Sequence, residues 1–150
     1  MATRERLIVD AMIDALMDAQ VDGVDDRVYE DRGFAIAAAD LPAIDVRIER
    51  DEVEVLDFAE NQLGHILTVE IGVLARDEVG RSAMAVMDPI IAQSHAAIMQ
   101  SETLRALVRS VSPGSTFVQR QDGGDGVVAR RTMTFVIDHV TSVDDLEAAP

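Results

Sequence analysis

The chain has 150 residues, 48% of them hydrophobic, with 28 acidic side chains against 13 cationic ones and a formal charge of −15 at pH 7. That is the length of one domain, enough to bury a core without disulfides. Cysteine is absent and every cation is arginine, which excludes thiol catalysis, Cys-ligated zinc, a P-loop lysine, and Schiff-base or pyridoxal chemistry.

The chain opens on an amphipathic pattern over residues 3–19. Leu7, Ile8, Ala11, Met12, Ala15 and Leu16 share one face, and Asp10, Asp14 and Asp18 share another. This predicts a helix with Thr3 as N-cap and Glu5 favourable in its first turn. The acidic turn 22–26 ends it, and Val28-Tyr29-Glu30 is long enough only for an edge strand. Residues 32–42 read as a loop. After Pro42, Ile44, Val46 and Ile48 alternate with Asp45, Arg47 and Glu49, which predicts a half-buried strand with a charged outer face. A second strand is expected over 65–75, with Leu67, Val69, Ile71 and Val73 inward. Residues 50–62 then form a hairpin connection or a mobile excursion.

From Ser82 to about Met99 the period becomes helical, with Pro89 inside it. A kink or two abutting helices is expected there. Ser101-Glu102-Thr103 can cap a short helix ending at Leu107. Pro113-Gly114 reads as a turn, 116–120 begins a strand, and the run 122–126 reverses it. Residues 127–140 form the longest strand. The pattern predicts a single α+β domain over 1–140, a mostly antiparallel mixed sheet with helices packed on one face. Residues 141–150 form an acidic tail that is mobile unless a partner holds it.

No transmembrane run or leader pattern stands out, so a soluble, unexported protein is expected. The acidity disfavours contact with nucleic acid or an anionic membrane. His65, His95 and His139 fall on different elements without metal-ligand spacing, and ordinary structural or surface roles are expected of them. Asp138-His139 at a strand end would point to opposite faces. Asp18, Asp22 and Gly23 fit three positions of a calcium-binding loop, but Gln20, Asp25 and Tyr29 do not fit the others. The single glycine run 122–126 lacks the repeat of a calcium β-roll, and Ser115 lacks a nucleophile-elbow context. No catalytic residues, metal or cofactor are therefore expected. Arg120, Arg130 and Arg131 cluster on one predicted hairpin of an acidic protein. Guanidinium forks bind carboxylates in pairs, which makes these three the candidate protein-interface residues.

The order of elements resembles the tail terminator family of long-tailed bacteriophages, the minor tail protein U type of the lambda group, over residues 4–140. It is carried by the opening helix 4–16, the segment 28–32, the Pro-led strand 41–46, the strand 67–71, the Pro-interrupted helix around 87–90 and the closing strand 132–136. The resemblance implies a non-enzymatic structural protein of the virion, assembled in the host cytoplasm. Such a protein forms a ring of identical copies, typically a hexamer. The ring caps the tail tube, stops its polymerisation and offers a surface to the head completion or connector protein. Loops 32–42 and 56–64 join the Arg hairpin as contact candidates. Other head–tail connectors and tail-completion proteins share this style. A small hydrolase using acidic residues and a module binding a basic protein are the rival readings. Substituting Arg130 or Arg131 by Ala is expected to impair assembly and leave melting almost unchanged.

Overall fold

Alternation along the central strand sets the architecture of the computed structural model, which describes residues 2–123 and 126–147. Strand β3 (Gln62–Arg76) sends Leu67, Val69, Ile71 and Val73 to one face, where all four are fully buried. It pairs antiparallel with β2 (Ala43–Asp57) on one side and with β5 (Gly126–Ser142) on the other. The short β1 (Val28–Glu30) runs parallel to β2 at one edge, and β4 (Ser110–Gly123) pairs antiparallel with β5 at the other. The order is β1-β2-β3-β5-β4. With its helices gathered into one core against this sheet, the chain is an α+β domain.

Helix α1 (Arg4–Asp18) starts where the Thr3 hydroxyl accepts the Arg6 N–H at 3.2 Å. It buries Ile8, Val9, Met12 and Leu16, the expected apolar stripe. Helix α2 (Ala83–Met99) is continuous through Pro89. Proline there leaves the Ala85 carbonyl without its helical donor. The Arg81 guanidinium supplies a donor instead, at 3.1 Å, which is why the pattern does not divide into two helices. Helix α3 (Glu102–Leu107) starts at Ser101, whose hydroxyl accepts the Leu104 N–H.

Three expectations change. Residues 50–57 are not an excursion, because β2 continues through them, bulged between Ile48 and Arg50, and only 58–61 turn the chain. Pro113-Gly114 is not a turn but an irregularity inside β4, where the register slips between Pro113 and Thr116. There a Cβ on Gly114 would meet Thr134 Oγ1 at 2.5 Å, and the Thr134 hydroxyl donates to the Ser115 carbonyl. Finally, the domain does not stop at residue 140. Thr141 and Ser142 close β5, with Thr141 and Ser142 buried. Beyond them the Val143 N–H donates to the Asn61 carbonyl, the Asn61 amide donates to Asp144, and the Arg4 N–H donates to the Leu146 carbonyl. The expected tail beyond Glu147, and the turn residues 124–125 of the glycine run, lie outside the described residues.

Candidate functional site

The three interface candidates have different surroundings. Arg120 is exposed on β4 and takes part in no ion pair among the described residues. Arg131 lies on the helix side of β5, where its guanidinium meets Asp88 of α2 at 2.9 Å while staying partly exposed. Arg130 is 1% exposed. It therefore offers no surface to a partner, and the reading of Arg130 as a direct interface residue is corrected.

The reason is alternation. Arg130 points to the sheet face away from the helices and lies across Gly72, where a Cβ would stand 2.3 Å from its Cζ. The space left by that glycine lets Nη1 reach Asp45 Oδ2 at 2.9 Å. Asp45 is fully buried and also accepts the backbone N–H groups of Arg32 and Gly33 at 2.8 and 2.9 Å. Arg130 Nε donates to Thr132 Oγ1, and Nη2 stands 3.9 Å from Glu70, whose carboxylate accepts Arg47 Nε at 2.7 Å. Glu70 raises the Arg47 pKa, chiefly through this hydrogen bond. Two acids and two bases thus neutralise one another under the 32–33 backbone. The face expected to be the charged outer one is, at Asp45, part of an internal network.

On the helix side, the register pairs His65 of β3 directly with His139 of β5. Their rings stack at 4.4 Å between centroids, with planes 9° apart. His65 Nδ1 lies 2.8 Å from Asp51 Oδ2, and Nε2 lies 2.9 Å from Thr141 Oγ1. Both histidines are buried, and neither ring nitrogen of His139 has a hydrogen-bond partner among the described residues. Burial, followed by the neighbouring His65, pulls the His139 pKa down to about 4. It is therefore a neutral imidazole at pH 7. Above the cluster, Glu5 of α1 has a raised pKa, first from burial and then from the charge of Asp51. One ligand atom from each of Asp51, His65 and His139 falls within a 4.8 Å span. His95, by contrast, is exposed on α2 near Phe135.

No family model and no curated protein matches the chain. No helix among the described residues is long and apolar enough to cross a membrane.

The His65–His139 pair escapes a spacing search because 74 positions of chain separate partners joined only by strand register. A usable signal exists in parity. His65 shares the odd positions of Leu67, Val69 and Ile71, and His139 shares those of Met133, Phe135 and Ile137, so both belong to the inward face.

Proposed function

We propose that this chain is a structural assembly protein of the phage tail terminator type, acting by contact rather than by turnover. Copies close into a ring, a hexamer by resemblance, that caps the tail tube and presents a face to the head completion or connector protein. Its place is the head-proximal end of the tail in the virion.

One observation supports this reading most: the long edge strand β4. Its residues 112–122 are exposed throughout, with Phe117 and Val118 among the large apolar side chains left in solvent. A free edge of this length presents backbone donors and acceptors to another chain, and soluble proteins ordinarily cover or shorten such edges. The other edge, β1, is only 3 residues long. A second apolar surface occupies the far end of the β2–β3 hairpin, where Val53, Val55, Leu56 and Phe58 are exposed, Phe58 at 77%. The registers place this tip and the β4–β5 tip at opposite ends of the sheet. Two unlike sticky surfaces on one chain suit a head-to-tail contact, which closes into a ring when the rotation permits.

Electron microscopy of the purified protein mixed with tail tubes tests the proposal. Rings on tube ends and arrested tube growth are expected from the native chain. Phe58→Asp and Arg120→Glu should each remove the rings while changing stability by no more than about 0.5 kcal/mol, since both are exposed. Unchanged capping by both variants would exclude these two surfaces as the contacts.

A further inference from the structure

We infer that Asp51, His65 and His139 form a binding site for one divalent transition-metal ion of the zinc class. The inference is independent of the ring proposal and concerns the helix-side end of the sheet, beneath the start of α1.

The first ground is the grouping of ligand atoms around His65. His65 Nδ1 lies 2.8 Å from Asp51 Oδ2, and one ligand atom from each of Asp51, His65 and His139 falls within a 4.8 Å span. Thr141 Oγ1, 2.9 Å from His65 Nε2, can accept a hydrogen bond from that nitrogen and leave Nδ1 free to ligate. The second ground is His139. His139 is 1% exposed and both ring nitrogens lack partners among the described residues, a costly arrangement for buried polar atoms. Metal coordination would satisfy one nitrogen outright. Asp51 Oδ1 is likewise buried without a partner.

Two imidazoles and one carboxylate are a borderline donor set that suits zinc and its neighbours rather than calcium or magnesium. Thr141 would act behind the site, fixing the His65 tautomer through Nε2, as partners of metal-bound histidines commonly do. Zinc holds such ligand atoms about 2.0–2.2 Å away, so the 4.8 Å span must contract while the 2.8 Å Asp51–His65 contact opens. Parallel rings aim their lone pairs side by side, and binding therefore tilts the two imidazoles out of their stack. The ion is held only by unprotonated imidazole nitrogens and carboxylate, which makes affinity fall as pH drops. Asp51, Glu5, Arg4 and Asp138 are the charged groups that act on the two rings, and the acids among them favour a cation.

Calorimetric titration of the EDTA-stripped protein with Zn2+ tests the site, with the visible spectrum of the Co2+ form as a second readout. One ion per chain is expected, together with a raised melting temperature and a Co2+ spectrum of low coordination number. Asp51→Asn should weaken binding at least tenfold, and His139→Leu should abolish the thermal response. Leu in place of a partnerless imidazole leaves the metal-free protein as stable as before or more so, which keeps the second variant informative. His95→Gln should bind as the native chain does. Zn2+ affinity unchanged in both Asp51→Asn and His139→Leu would assign the ion to surface carboxylates and overturn the site. So would the absence of any Zn2+ effect on the native chain.

Discussion

Arg130 forms a buried ion pair with Asp45, at 2.9 Å, on the sheet face away from the helices. Truncating it to Ala would strand Asp45, which is fully buried and would keep only the N–H groups of Arg32 and Gly33. Removing one partner of a buried pair costs about 3–5 kcal/mol, and those two N–H groups place Arg130→Ala toward the lower figure. Chemical denaturation should read this loss, against the near-neutral change that the sequence suggests for an exposed arginine. Gly72→Ala should cost about 1–3 kcal/mol by forcing the guanidinium aside. His139 sets a pH dependence in the metal-free protein. Its pKa is about 4 in the folded chain against an ordinary 6.5, so the unfolded chain takes up the proton first as pH falls. Stability declines between about pH 6.5 and 4, by roughly 3 kcal/mol in all. Glu5 works in the opposite sense, because a carboxyl with a raised folded pKa favours the folded chain as pH falls. Melting curves across this range should flatten in His139→Leu. An unaltered pH profile in that variant would assign the dependence to other groups.

At the scale of elements, hydrophobic period located α1, α2, the starts of β2 and β5, and most of β3, because each carries its pattern locally. Caps were equally legible, since Thr3 and Ser101 accept the N–H groups their positions call for. Strand ends were not. The last half of β2 is exposed and acidic, and only pairing with β3 makes it a strand. Pro113-Gly114 carries the composition of a turn, yet β5 pairs with the strand on both sides of it, across a slip in register. Pro89 illustrates the same limit, because the donor that rescues its helix is the side chain of Arg81, just before the Ser82 cap. Arg81→Ala should therefore loosen the first turns of α2, at a cost of about 1 kcal/mol, and hydrogen exchange should rise between Ala85 and Ile90 before the C-terminal turns are affected. Equal protection in native and variant chains would show that Arg81 does not support the Pro89 gap.

At the scale of the whole molecule, the long-range electrostatics oppose self-association. Six copies at −15 each carry a formal −90, so closure must work against repulsion that salt screens. Only Arg120 and Arg131 of the three candidate arginines lie where they can offset it. Burial of Arg130 could not be read from composition, because an arginine next to another arginine looks like one continuous basic patch. The strand period places them on opposite faces, and Gly72 decides which of the two goes inside. The apolar side chains among the candidate contacts, Phe117 and Val118 on β4 and Val53, Val55, Leu56 and Phe58 at the β2–β3 tip, strengthen relative to repulsion as ionic strength rises.

Sedimentation velocity over a salt series, with and without tail tubes, tests the ring most directly. A monomer is expected at low ionic strength, and a single species of about six times that mass once salt or the tube end is supplied. A chain that stays monomeric at every ionic strength, and does not cosediment with tubes, would contradict the ring proposal.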